Sequence, residues 1–170
     1  YLAGRSEEDY VANSERLFRR AIAKLIYPEA RQLIEAHRAA GHSIAIISSA
    51  TPYQVLPAAR DLCIEHVYAT DLEVEDGQFT GSVVQPTCFG IGKVHAAERF
   101  TAQQGSDLEN CFFYSDSTDD IELLEMAGRP VVLNGSRELK KTAREAGWPM
   151  ADFSSRGNAT SSQVIRSLAA

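Results

Sequence analysis

Apolar and polar positions follow two different periods along the chain, and the period predicts which element each segment forms. Between residues 43 and 147, short apolar runs such as IAII, FFY and VVL take turns with longer segments whose apolar residues recur at helical spacing. Short runs of this kind are typical of buried strands, and the longer segments of amphipathic helices. The alternation predicts an α/β fold in which a parallel sheet carries helices on both faces.

The ends of several elements are also marked in the sequence. Ser6 followed by Asp9 resembles a capping box and opens a helix predicted for residues 4–26. Pro28 is placed to open a second helix, and Gly41 to end it.

Two further segments differ from the strand–helix alternation. Residues 71–84 alternate apolar and polar positions around Asp76-Gly77, which predicts a β-hairpin. The last segment, residues 154–170, is rich in serine and glycine and is predicted to be a linker or tail.

Composition limits the classes of function. A chain of 170 residues is about one domain, and its net charge of -6 argues against nucleic acid or an anionic membrane surface as a partner. Cys63, Cys88 and Cys111 form no metal-binding or disulfide pattern, so we expect small buried side chains in a reducing compartment. No secretory signal is visible and the longest apolar run is far too short to span a bilayer, so we expect a cytoplasmic protein.

Polar side chains with chemical potential follow two of the predicted strands. Ser48 and Ser49 end the strand IAII, and Asp116, Asp119 and Asp120 follow the strand CFFY. Ligand sites of open α/β sheets lie beyond the carboxyl ends of strands, and Mg²⁺ takes one or two carboxylates with water and phosphate oxygens. The simpler interpretation is that Ser115, Asp116 and Ser117 only cap the next helix; we favour a metal site.

Lys93 stands at the start of a predicted helix, after CFGIG. The segment is not a phosphate-binding P-loop, because Val94 stands where serine or threonine is required. A solvated lysine is the simpler interpretation, but the positive end of a helix disfavours a lysine unless an anion is near. Hydroxyls, a lysine and paired carboxylates together are a set suited to phosphate and Mg²⁺.

In this order and spacing, IAIISSAT, GIGK and YSDSTDD resemble motifs II, III and IV of the haloacid dehalogenase superfamily of phosphatases. The hairpin and the ending GRPVVLNGSRELKKTAREAGWP are similar to the branch that contains phosphoserine phosphatase, including bacterial members fused to a lysophosphatidate-type acyltransferase. The resemblance implies a Rossmann-like core over residues 27–153, lacking its first strand, with residues 1–26 as the end of a helical cap.

The resemblance also implies roles for individual residues. Ser48, with the amide of Ser49, would hold the substrate phosphate, and Lys93 would neutralise it. Asp116 would bind Mg²⁺, and Asp120 would act beside the metal and orient Lys93. The implied reaction transfers the phosphoryl group of a small phosphomonoester to an aspartate, and water then hydrolyses the aspartyl-phosphate.

The chain departs from the family at its most important motif. The DxDxT motif, which supplies the nucleophile and an acid/base two residues later, does not occur in the chain. It belongs to the central strand of the family's sheet. We therefore expect residues outside this numbering to supply a strand between the Ser48 strand and the Asp116 strand, and that strand to carry the nucleophile.

Two smaller departures concern the substrate. Ser49 and Ala50 replace glycines of the phosphoserine phosphatases, and Asp119 replaces an asparagine. Bulkier side chains and an added carboxylate argue against phosphoserine as the substrate. The sequence thus predicts a Mg²⁺-dependent phosphatase of the haloacid dehalogenase type; the alternative is a non-catalytic domain of the same fold that binds a partner or supports a fused one.

Overall fold

The computed structural model describes residues 1–154, in which strands and helices alternate from the first strand onward except for three successive strands between residues 66 and 83. The α-helices are α1 (Glu7–Leu17), α2 (Pro28–Ala39), α3 (Pro52–Asp61), α4 (Ile91–Gln103), α5 (Ile121–Met126) and α6 (Arg137–Ala146). The strands are β1 (Ala45–Ile47), β2 (His66–Tyr68), β3 (Leu72–Glu75), β4 (Gln78–Val83), β5 (Phe112–Ser115), β6 (Arg129–Leu133) and β7 (Met150–Ala151). Apart from Ser154, the linker or tail predicted for residues 154–170 lies outside the described residues.

The predicted α/β class is confirmed, but the parallel sheet is present in two parts. Strand β1 pairs in parallel with β2, and β5, β6 and β7 form a second parallel sheet. Within residues 1–154, β1 and β5 do not pair with each other. The short strand β7 was not predicted, because a pair of residues is too short to show a period.

Helices cover both faces of the β5–β6–β7 sheet, as the sequence predicted. On one face, Leu33 of α2 packs with Val131 and Tyr114. On the other face, Leu124 of α5 and Leu139 of α6 pack with Val132. Neighbouring residues of β6 therefore point to opposite faces, as successive residues of a strand do.

The helix predicted for residues 4–26 is interrupted, so that prediction was wrong in its length. After α1, a π-helical turn covers Phe18–Ile22 and a 3₁₀ turn covers Ala23–Leu25. A π turn adds a residue and so rotates the faces of the segments on either side. Here it buries Phe18, whereas α1 itself buries no residue.

The N-terminal segment is attached to the predicted hairpin of β3 and β4, which is confirmed. The Gly4 amide donates to the Phe79 carbonyl at 2.8 Å, and the Phe79 amide donates to the Arg5 carbonyl at 3.0 Å. The rings of Tyr10, Tyr53 and Phe79 meet edge to face, with centroids 5.3 to 5.4 Å apart. This aromatic cluster fixes the start of α1 against α3, the helix that follows the Ser48 loop.

The cysteines differ from one another in exposure. Cys88 is buried as predicted and Cys111 is half-buried, but Cys63 is exposed, so the prediction was wrong for Cys63. Cys63 lies just after α3 with a φ of 52°, in the left-handed turn that ends the helix. No helix among residues 1–154 is long and apolar enough to cross a bilayer.

His37 of α2 is buried against β5. Nδ1 of His37 is 2.8 Å from Nδ1 of His42, and its Nε2 is 2.7 Å from the Tyr114 hydroxyl. Burial, with a smaller effect from the charge of His42, lowers the pKa of His37 below its usual range. The folded protein therefore holds His37 in the neutral form.

We predict that this histidine makes the fold sensitive to acid. Below the ordinary histidine pKa of about 6.5, the unfolded chain takes up a proton that folded His37 resists, so stability falls as the pH decreases. Urea unfolding of the chain at pH 7 and pH 5 measures the effect, whose slope for one proton is at most about 1.4 kcal/mol per pH unit.

Matched variants separate His37 from the other groups that titrate in this range. His37→Phe should flatten the pH dependence, whereas His95→Phe, at an exposed position of α4, should leave it unchanged. An equal slope in the wild type and His37→Phe would contradict the assignment.

Candidate active site

A buried ion pair joins α4 to the segment after β5. Nζ of Lys93 donates to Oδ1 of Asp120 at 2.5 Å, and the two residues are only 8% and 6% exposed. Water is therefore largely excluded from this pair, and its electrostatic interaction is screened much less than that of a surface pair. Of the predicted site residues, these two are in direct contact.

Two glycines before Lys93 explain how the lysine enters the interior. Gly90, at the start of α4, has a φ of 51° and a ψ of -125°, a conformation that side chains disfavour. A Cβ on Gly92 would lie 1.9 Å from the carbonyl oxygen of Thr87. The turn therefore requires glycine at both positions, and it sets the first turn of α4 close against the preceding loop.

Asp120 is held from its other side by Ser115, which the sequence indicated only as a possible helix cap. Oγ of Ser115 donates to Oδ2 of Asp120 at 2.6 Å, so each carboxylate oxygen has a donor. Ser115 is itself buried at the end of β5. The only sequence signal for this role is a hydroxyl at the strand end, five residues before the aspartate.

The capping interpretation of the segment after β5 is also partly right, because it holds for Ser117. The Asp119 amide donates to Oγ of Ser117 at 3.2 Å, which caps the 3₁₀ turn Thr118–Asp120. Asp116 takes no part in this capping. Its side chain is exposed, and within residues 1–154 its carboxylate has no hydrogen bond or ion pair with the protein.

The predicted phosphate-binding serines follow β1 directly. The Ser48 amide donates to the Tyr68 carbonyl at 2.9 Å, continuing the β1–β2 pairing by one residue. Oγ of Ser48 accepts from the Ala50 amide at 3.2 Å, which bends the chain out of the sheet. Ser48 is half-buried and Ser49 is exposed, so the loop presents its polar groups at the carboxyl end of β1.

The buried Cys88 packs with β1, with Tyr68 of β2 and with Ala96 of α4. Burial raises the pKa of the Cys88 thiol, and a hydrogen bond with the Ser48 backbone and the charge of Lys93 oppose that effect. The charge of Asp120 raises this pKa further. Helix α4, which carries Lys93, therefore packs against β1 close to the strand that leads into the Ser48 loop.

The side chains near the ends of β1 and β5 supply only some of the ligands that Mg²⁺ needs. Residues 1–154 contain no group of three or more histidine, cysteine, aspartate or glutamate side chains that could hold a metal ion. Mg²⁺ nevertheless retains several waters and is often bound by one or two carboxylates and substrate phosphate. Among the described residues 1–154, Asp116 has no hydrogen-bond or ion-pair partner, and Asp120, which binds Lys93 and Ser115, lies four residues further on.

The chain belongs to the haloacid dehalogenase-like hydrolase family, whose model matches residues 1–125. This result confirms the resemblance on which the site was predicted. The matched range includes every residue named above for the site.

Curated relatives carry the names of phosphatases. A probable phosphatase of Mycobacterium tuberculosis is 40% identical over 133 residues, covering 78% of this chain and 46% of the relative. A phosphoserine phosphatase of the same organism is 36% identical over 90% of this chain and 50% of its own length. A histidinol-phosphatase of Neisseria meningitidis is 31% identical over 89% of this chain and 70% of its own. The chain spans about half the length of the first two relatives.

Solved structures agree with the fold. A Bordetella pertussis protein of unknown function has a TM-score of 0.82 at 32% identity, covering 89% of this chain and 69% of that one. A probable phosphoserine phosphatase from Vibrio cholerae, in its unliganded form, has a TM-score of 0.66 at 20% identity. The match covers 84% of this chain and 43% of that one. The second match supports the fold alone.

We predict strong energetic coupling between Lys93 and Asp120. Lys93→Met leaves a buried carboxylate with one remaining donor, and should lower the free energy of unfolding by about 3–5 kcal/mol. The double variant Lys93→Met/Asp120→Asn removes both charges and should recover much of that loss. A double-mutant cycle by urea unfolding measures the coupling.

An exposed pair on α6 provides the control. Lys141 and Glu145 are 3.8 Å apart at side-chain exposures of 73% and 68%. The same cycle with Lys141→Met and Glu145→Gln should give a coupling of about 0.5 kcal/mol or less. Equal couplings for the two pairs would contradict a buried, structurally coupled site.

Proposed function

We propose that this chain is the accessory part of a Mg²⁺-dependent phosphomonoester phosphatase that acts through an aspartyl-phosphate. The observation that carries the proposal is the buried Lys93–Asp120 pair in a member of the haloacid dehalogenase-like family. A domain that only binds or supports a partner has no physical need for a desolvated lysine beside the ends of β1 and β5.

The four residues at this site have different roles in binding the substrate phosphate. The Ser48 hydroxyl and the Ser49 amide donate hydrogen bonds to phosphate oxygens. Lys93 places its positive charge on the transferring phosphoryl group, and Asp120 acts as a positioning residue that holds the lysine in that direction. Because the ammonium is fixed before the substrate arrives, little reorganisation is needed when charge develops.

The nucleophile is an aspartate supplied by residues outside this numbering. Its carboxylate oxygen forms a bond to phosphorus while the ester P–O bond breaks, and the leaving oxygen takes a proton from an acid on the same motif. Water then attacks the aspartyl-phosphate, which releases inorganic phosphate and regenerates the carboxylate. Lys93 reduces the repulsion between the carboxylate and the anionic phosphate in both steps.

Mg²⁺ would be held by Asp116, with Asp120 beside it, and when bound it would supply further positive charge to the phosphate oxygens. Asp116 suits this role because its side chain is exposed at the carboxyl end of β5 and its carboxylate has no hydrogen bond or ion pair within residues 1–154.

On this proposal the substrate is a phosphomonoester other than phosphoserine, so the leaving group is a small alcohol other than serine. The relatives are named for two different substrates, phosphoserine and histidinol phosphate, so the family name does not select one. Ser49 and Asp119 are both exposed where the substrate would lie, and they add bulk and negative charge there. A cytoplasmic location and a fused acyltransferase stay predictions.

The experiment requires the longer protein that includes the upstream segment. With p-nitrophenyl phosphate and Mg²⁺, Lys93→Met should lower kcat by a factor on the order of 10³, since it removes a charge that faces the phosphoryl group. Lys141→Met, which removes an exposed lysine, should leave kcat unchanged. Activity should disappear when EDTA removes the metal and return when Mg²⁺ is added.

A turnover of Lys93→Met close to the wild-type value would contradict the proposal. So would an upstream sequence without an acidic nucleophile, which would favour the non-catalytic alternative.

A further inference from the structure

The hydroxyl group of Ser115 is hydrogen-bonded in two directions. Its Oγ accepts from the Ser117 amide at 3.0 Å and lies 2.6 Å from Oδ2 of Asp120. Ser115 and Asp120 are both buried, at 8% and 6% exposure. A distance of this length is typical of a hydroxyl that donates to a charged oxygen. The contact is therefore a strong hydrogen bond in a place from which water is largely excluded.

The direction of the Ser115 hydroxyl proton follows from its two neighbours. A carboxylate has no proton to donate, so the serine is the donor in its contact with Asp120. The Ser117 amide donates to the same oxygen and occupies one of its lone pairs. Because the hydroxyl proton cannot point toward that amide, the backbone itself directs the proton at Asp120.

This proton fixes the orientation of the Asp120 carboxylate. Nζ of Lys93 donates to Oδ1 at 2.5 Å, and Ser115 donates to Oδ2. The terminal torsion of an aspartate has a broad minimum, so one donor alone leaves the carboxylate free to turn about its Cβ–Cγ bond. Two donors, one from α4 and one from β5, fix its plane. The direction of the Lys93 ammonium therefore depends on Ser115 through Asp120.

The simpler interpretation is that Ser115 only closes a turn at the end of β5. A serine whose Oγ accepts from the amide two residues further on is a common feature of turns. Ser117 has this feature in the same loop, because its Oγ accepts from the Asp119 amide at 3.2 Å. Within residues 1–154, however, only Ser115 of these two serines contacts a charged side chain. Ser117 is thus a matched control for the effect of closing a turn.

We propose that Ser115 is a positioning residue: through Asp120 it holds the Lys93 ammonium in the direction in which the ammonium meets the phosphoryl group. Ser115 itself contacts neither the substrate nor the metal in this arrangement. The expected effect on turnover rests on the proposed phosphatase function. The expected effect on the order of the Lys93 side chain does not.

The first test observes Lys93 in the 170-residue chain by NMR. The protons of a lysine ammonium exchange with water too quickly to give a ¹⁵N–¹H signal, unless the ammonium is buried and hydrogen-bonded. Lys93 should give such a signal, which is assigned by its absence from Lys93→Met. Ser115→Ala should reduce the intensity of this signal by about half or more, because Asp120 is then free to turn. Ser117→Ala should retain the signal.

The second test measures turnover in the longer protein that includes the upstream segment. Ser115→Ala should lower kcat by about 10- to 100-fold, which is typical for the loss of a residue that orients a group of the site. KM should change by less than about threefold, because Ser48 and Ser49 still bind the phosphate. Ser115→Thr keeps the hydroxyl and should recover most of the loss, and Ser117→Ala should leave kcat unchanged.

A double variant tests whether Ser115 acts through the lysine. In the Lys93→Met background, Ser115→Ala should change kcat by less than about twofold, because the group that Ser115 positions is then absent. Losses that multiply in full would overturn the proposal. A rise in KM at unchanged kcat would do the same, since Ser115 would then act in substrate binding.

The NMR signal separates this proposal from the phosphatase assignment. An unchanged Lys93 signal in Ser115→Ala, or an equal loss of the signal in Ser117→Ala, would overturn the positioning role. If Ser115→Ala does not fold, Ser115→Cys takes its place, because a thiol of similar size is a much weaker donor. If the signal responds as expected but the longer wild-type protein hydrolyses no phosphate ester, the phosphatase assignment fails and the positioning of Lys93 by Ser115 stands.

Discussion

The buried contact between Lys93 and Asp120 is the interaction on which the rest of the site depends. It joins the start of α4 to the turn after β5, and Ser115 completes the contact from the strand end. A lysine in the first turn of a helix is disfavoured by the helix dipole and by burial, so it needs an anion at close range. Gly90 and Gly92 shape the turn that brings the lysine to that anion.

This contact also links the two parts of the sheet. Helix α4 packs against β1 through Ala96 and against β5 through Val94 and Ala97, so it spans the space between these two strands from one face. Helix α2 packs against β5 and β6 and lines the same space from the other face. The helices thus hold two open strand edges in place, and the site lies at the carboxyl end of the space between them. The same layout that positions the proposed phosphate-binding groups therefore leaves room for the strand that, on our proposal, carries the nucleophile.

Much of this could be predicted from the sequence, because the signals were local. Strand–helix alternation, the Asp76-Gly77 turn and Pro28 at a helix start each depend on a few neighbouring residues. The interruption after α1 could not be predicted, because a π turn depends on which face has to bury Phe18. The hydrogen bond from Ser115 to the second carboxylate oxygen of Asp120 was missed for a similar reason. It forms only when the end of β5 and the turn after it are folded together. The exposure of Cys63 likewise depends on where α3 ends, not on the preference of cysteine for the interior.

The central claim is that Lys93, Ser48 and an aspartate from outside this numbering converge on one phosphoryl group. A crystal structure of the longer protein with Mg²⁺ and beryllium trifluoride, a mimic of a phosphoryl group on aspartate, measures this directly. We expect the beryllium on an aspartate at the end of a strand between β1 and β5, with Lys93 Nζ and Ser48 Oγ within about 3 Å of its fluorides. Direct pairing of β1 with β5, or a fluoride group bound away from Lys93, would contradict the account.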